Sequence, residues 1–146
     1  MARPLRKIPK LILKRQLCRV IFISWFIALF ALSSIPGKAE AQLQILFADK
    51  VAHLIFFAVG SAAFTLTLTQ HPWRKHSSSF LFGACMIMTS VVGGYDEWHQ
   101  TFTPNRDGNS PGDLVANLGG GVIGYCAGLW CKGKFIISSH HLARNQ

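Results

Sequence analysis

Four long apolar runs constrain this chain more than any other feature. They are Val20–Ile35, Val51–Thr69, Phe80–Tyr95 and Leu114–Cys131. Each is about 16–19 residues, close to the roughly 17–25 that cross a bilayer as a helix. None carries a polar face repeating near 3.6 residues, which a water-soluble helical bundle needs. Only 14% of the 146 residues are charged, against about 25% in a soluble domain. The expected fold is all-α: a polytopic membrane bundle of four transmembrane helices. A membrane domain is expected over residues 20–131, after a basic arm (1–19) and before a tail (132–146).

The charges are sorted by side. Before the first run lie Arg3, Arg6, Lys7, Lys10, Lys14, Arg15 and Arg19. Arg74 and Lys75 separate the second run from the third, and Lys132, Lys134 and Arg144 follow the fourth. All six acidic residues fall on the other side, with only Lys38, Lys50 and Arg106 for basic company. The positive-inside rule then puts both termini in the cytoplasm, as in a multi-pass protein of the bacterial cytoplasmic (inner) membrane. The basic arm suits an anionic inner leaflet. The net charge of +9 therefore reads as topology. Nucleic acid is excluded as a partner, because no aromatic-interleaved basic surface accompanies the charge.

Cys18, Cys85, Cys126 and Cys131 lie within runs or at their cytoplasmic ends, so no disulfide framework is expected. A second reading of the amino terminus is a signal peptide cleaved after Ala41, given Ala39-Glu40-Ala41. Trp25 and the length of the run favour a retained anchor.

Ser33-Ser34-Ile35-Pro36-Gly37 ends the first helix. Gln42–Phe47 is mildly amphipathic and suits the membrane interface, as does Trp73 in the cytoplasmic turn. Asp49 stands at a helix amino end. The third helix either breaks at Gly93-Gly94 or runs on to Gln100. Thr101–Pro111 is rich in turn residues, and Ser110 with Pro111 is a helix start. In the fourth run Gly120, Gly124 and Gly128 recur every four residues, a spacing that lets membrane helices approach closely. Packing within the bundle is the favoured use of that face, and homo-oligomerisation the alternative.

Spacing also organises the polar residues. Asp49 and His53, Asp96 and Gln100, and Asp113 and Asn117 are each four apart, so each pair shares a helix face. Three helices thus present polar pairs near one boundary, and a bundle can gather them into one pocket. His53 lies about one turn inside its span, where an ionisable group needs a partner; Asp49 is the expected one. Asp96 and Glu97 are neighbours, so one is expected to face the pocket and the other water. Arg106 can supply a cation to the acids or to an anionic ligand. Structural glue and helix capping are the bland reading of the same residues.

At these positions the chain resembles a known family. Asp49-Lys50-Val51-Ala52-His53-Leu54-Ile55-Phe56-Phe57 looks like the D-K-x-x-H-x-x-x-[FY] signature of the VanZ-like membrane proteins. Asp96, Glu97, Gln100, Phe102, Pro104 and Arg106, then Asp113, Asn117 and Gly120-Gly121, resemble D-E-x-x-Q-x-F-x-P-x-R followed by D-x-x-x-N-x-x-G. The resemblance covers about residues 45–130. The link from Asp107 to Gly112 departs from the family's usual R-x-x-[DS]-x-x-D spacing. The resemblance implies a small helical membrane protein of the cell envelope. Its namesake is linked to reduced susceptibility to glycopeptides of the teicoplanin type. The resemblance supplies no reaction and no cofactor.

Three functions follow as expectations. The first is an envelope protein, surrounded by membrane lipids, that binds a lipid-linked or amphiphilic anionic ligand at the outer boundary. Arg106, Lys50 and His53 would contact the anion, Gln100 and Asn117 would orient it, and Asp49, Asp96, Glu97 and Asp113 would hold the basic groups. The second is an intramembrane enzyme acting on a lipid-linked phosphate or acyl substrate. His53 with Asp49 would be its base, and Asp96, Glu97 and Asp113 its metal ligands. No Ser, Thr or Cys stands beside His53 in a nucleophile motif. The third is a structural partner of another membrane complex, using the glycine face.

Overall fold

The apolar runs become helices longer than the runs themselves. The computed structural model describes residues 10–37, 46–70 and 76–144, with side chains over 16–37, 48–70 and 76–132. Helix α1 spans Lys10–Ser33, α2 Leu46–Thr69, α3 Ser78–Gln100 and α4 Pro111–Arg144. No strand occurs among the described residues. All four helices are long and apolar enough to cross a membrane, the architecture of a multi-pass membrane protein. The cleavage motif Ala39–Ala41, most of the interfacial segment after Gln42, Trp73 and the first nine residues lie outside the described residues.

The expected boundaries shift in three places. α1 begins at Lys10, so the second half of the basic arm is helical. α4 runs past Cys131 without a break; at 1.5 Å per residue it is roughly 50 Å long, well beyond about 30 Å of hydrocarbon. Gly93-Gly94 does not break α3, which continues to Gln100. Gly93 is instead a packing position, with the Asn117 carboxamide of α4 against its bare backbone.

The helices run up and down. At one end Cys18 of α1 meets Gln70 of α2, Thr65 meets Cys85 of α3, and the Tyr125 hydroxyl donates to the Ser78 carbonyl. At the other end Lys50 of α2 meets Asp113 of α4, and Thr103 just past α3 meets Ser33 of α1. α2 and α4 are the most intimate pair, and α1 packs on α2 and α3, with no contact to α4 among the described residues.

The glycine ladder explains the α2–α4 intimacy. A Cβ on Gly120 would run into the Leu54 carbonyl, one on Gly124 into the Ala58 carbonyl, and one on Gly128 would come 2.7 Å from Thr65 Cβ. Backbone thus rests on backbone, and the Ser61 hydroxyl donates to the Gly121 carbonyl at 2.8 Å. Within the chain, α2 covers the face carrying Gly120, Gly124 and Gly128, the favoured use of that spacing.

On the other side, Gly60 of α2 lies under the Trp25 indole. Trp25 Nε1 donates to the Phe56 carbonyl at 2.8 Å and stacks among Phe22, Phe56 and Phe57. Polar side chains such as Ser61, Thr65 and Thr89 are buried, whereas Ile23, Ile27, Ile55, Val59, Ile87, Val91, Val115 and Ile123 are exposed. That inverted pattern suits lipid as the solvent. Tyr95, Trp98 and Phe102 are exposed and pack ring to ring along the end of α3, the residue types of an interfacial aromatic belt.

Candidate functional site

The end of the bundle marked by that belt collects the polar residues. Its framework is the loop 101–110, which folds back onto two helices. Asn105 and Asn109 turn it through left-handed backbone (φ 56° and 60°), a conformation Asn tolerates better than most side chains. Glu97 Oε2 accepts from the Ser110 amide at 2.8 Å, and the Ser110 hydroxyl accepts from the Asp113 amide at 3.4 Å. Ser110 thereby caps α4, as its place before Pro111 predicts.

The same loop caps α1. The last carbonyls of a helix have no partner within it. Here Thr103 Oγ1 donates to the Ser33 carbonyl, and Arg106 donates through Nε to Ile35 (3.2 Å) and through Nη2 to Leu32 (3.1 Å). A guanidinium at a helix carboxyl end is also favoured by the helix dipole. Arg106, expected as a cation for the acids or for an anionic ligand, thus has its hydrogen bonds on α1. The irregular loop aims it at α1, so its first partners are carbonyls.

His53 has two partners, the expected Asp49 and, more closely, Asn117. Its Nδ1 stands 2.9 Å from Asn117 Oδ1, a buried bond between α2 and α4. Asp49, the expected partner, is 3.9 Å from Nε2. Shared helix face brings Asp49 near, but its side chain is 40% exposed at the helix start, whereas Asn117 faces His53 directly. Lys50, expected to contact an anionic ligand, instead pairs across helices with Asp113, at 2.9 Å. Of the three sequence pairs, only Asp96 and Gln100 bond within their own helix, Gln100 Nε2 donating to Asp96 Oδ2 at 3.0 Å.

Asp96 and Glu97 are both buried, each 1% exposed. The expectation that one faces water is corrected, because α1 and the 101–110 loop cover what one helix face alone would leave open. Asp96 Oδ1, Glu97 Oε1, Asn117 Nδ2 and the Ser33 hydroxyl are buried with no hydrogen bond of good geometry among the described residues. One nitrogen of His53 and one oxygen from each of Asp96 and Glu97 lie within 4.8 Å of one another; Asp49, His53 and Asp113 form an overlapping group. The expected metal set of Asp96, Glu97 and Asp113 is thus divided between two groups that share His53.

A pocket of about 170 Å³ opens beside this cluster between α1 and α2. Leu29, Leu32, Ala52, Phe56 and Phe57 give it apolar walls, and Ser33, Asp49, His53 and Arg106 a polar end. Lys50 is not among its lining residues. Ser33 is the site residue that sequence reasoning passed over, having assigned it to the helix stop. Gly93 is another, and its signal was a bare position one turn before Asp96.

No family model, curated protein or solved structure matches this chain.

Proposed function

We propose that the chain is a multi-pass envelope protein that binds an amphiphile carrying an anionic head group, its head at Arg106 and His53 and its apolar part against Leu29, Leu32, Phe56 and Phe57. The observation that carries this reading is the two-natured lining of the pocket between α1 and α2. Arg106 keeps N–H capacity beyond its two carbonyl bonds. His53 is oriented by Asn117. Asp49 also lines the pocket, 3.9 Å from His53 Nε2. Asp96, Glu97, Gln100, Asp113 and Lys50 support the pocket from behind.

The sidedness of the charges supports placing this end at the outer face of the bacterial cytoplasmic membrane, with both termini inside. The motif resemblance to VanZ-like proteins supports a lipid-linked envelope precursor as the ligand class, and a role in susceptibility to teicoplanin-type glycopeptides. Native mass spectrometry of the protein released from its own membrane tests the reading. The wild type should retain a bound anionic amphiphile, and Ala52→Trp, which fills the pocket, should lose it. Equal retention by both proteins, or no retained amphiphile in the wild type, would refute the proposal.

A further inference from the structure

We propose that His53, Asp96 and Glu97 bind one divalent transition-metal cation. This goes beyond the amphiphile reading and does not depend on it. One imidazole nitrogen and two carboxylate oxygens form a mixed N/O set suited to borderline cations such as Zn²⁺ and to Mn²⁺. Their ligand atoms lie within 4.8 Å of one another. Ligands each about 2.0–2.2 Å from one ion stand up to roughly 4 Å apart, so the set closes with side-chain shifts under about 1 Å.

Two independent observations separate this group from an ordinary acidic cluster. First, Asp96 Oδ1 and Glu97 Oε1 are buried without a hydrogen bond of good geometry among the described residues, only the Ser33 hydroxyl standing near Asp96, while the second oxygen of each is held, by Gln100 and by the Ser110 amide. Each carboxylate is therefore oriented by one oxygen and leaves the other to bind. Second, His53 has the outer support that metal-bound histidines have. With Nδ1–H donating to Asn117 Oδ1, the lone pair is on Nε2.

Charge balance points the same way. Asp96 and Glu97 lie side by side, each 1% exposed, while Lys50 is committed to Asp113 and Arg106 bonds carbonyls at the end of α1. A divalent ion would compensate these two buried carboxylates, whose uncompensated charge at this burial is costly. The overlapping trio Asp49–His53–Asp113 is the poorer site, because Asp113 Oδ1 already accepts from Lys50 and Asp49 is partly exposed. The rival to the ion is a pair of protons on Asp96 and Glu97.

Mn²⁺ binding to the full chain decides between them. Protein in lipid nanodiscs, stripped with a chelator, is titrated with Mn²⁺ and followed by electron paramagnetic resonance. The site predicts one saturable Mn²⁺ per chain, with ¹⁴N coupling from one imidazole and displacement by Zn²⁺. Glu97→Gln and Asp96→Asn should each weaken binding at least about tenfold, and Asn117→Ala, a positioning residue, by about 10–100-fold. Asp49→Asn removes a neighbouring charge but no ligand, so it should weaken binding clearly less than either ligand variant. No saturable binding in the wild type, or bound Mn²⁺ without ¹⁴N coupling, overturns the proposal whether or not the variants fold. Equal losses in Asp49→Asn and Glu97→Gln would overturn this choice of ligands.

Discussion

His53 of α2 and Asn117 of α4 meet at 2.9 Å, and the bare backbone of Gly93 on α3 lies against the other face of the same carboxamide. One buried contact therefore sets the register of three helices at the depth of the polar cluster. Replacing Asn117 with Leu keeps volume but leaves a buried imidazole N–H without an acceptor, at a cost of about 1–3 kcal/mol. Thermal unfolding in detergent, followed by circular dichroism, should show a clearly lower midpoint. An unchanged midpoint would mean that the bond does not form.

The glycine ladder should show its preference at single-methyl resolution. Gly124→Ala places a Cβ against the Ala58 carbonyl, whereas a Cβ at Gly83 meets nothing within 4 Å. Gly124→Ala should destabilise by about 1–3 kcal/mol, the usual cost of overpacking. Gly83→Ala should be neutral, or stabilising by up to about 1 kcal/mol from helix propensity. Reversed signs would show that α2 does not cover this face.

Arg106→Lys keeps the charge and loses the planar fork that reaches two carbonyls of α1. These bonds are partly exposed, so the expected loss is small, about 1 kcal/mol. It should appear as faster hydrogen exchange over the last turn of α1, while α4 is unchanged. Identical exchange in both proteins would remove Arg106 as the cap of α1.

Topology can be read with single cysteines on a background lacking the native four. Pro104→Cys, in the exposed loop 101–110, should react with a membrane-impermeant thiol reagent added outside intact cells if the proposed orientation holds. Ser79→Cys, exposed at the opposite end of α3, should react only after permeabilisation. The reverse pattern would invert the proposed orientation.

The helices and their polar pairs were legible in the sequence because both are local: apolar length gives the spans, and a spacing of four puts Asp96 beside Gln100. The glycine spacing likewise marked the close face of α4. What the sequence did not disclose depends on how each helix is rotated against its neighbours. Lys50 reaching Asp113, and His53 reaching Asn117 in preference to Asp49, are contacts across more than sixty residues. The placing of Arg106 on the end of α1 depends on left-handed backbone at Asn105 and Asn109, for which the loop carries turn residues but no periodic signal. Ser33 entered the site only because the loop folds over the end of α1.

The most direct measurement of the pocket is photocrosslinking from adjacent residues of α2. Phe56 lines the pocket, whereas Ile55 is 57% exposed on the outer surface of the bundle. A benzophenone side chain is placed at either position in cells, and the adducts are identified by mass spectrometry. The account predicts a distinct anionic amphiphile at Phe56 and bulk membrane lipid at Ile55. The same bulk lipid in the same proportions at both positions would contradict it.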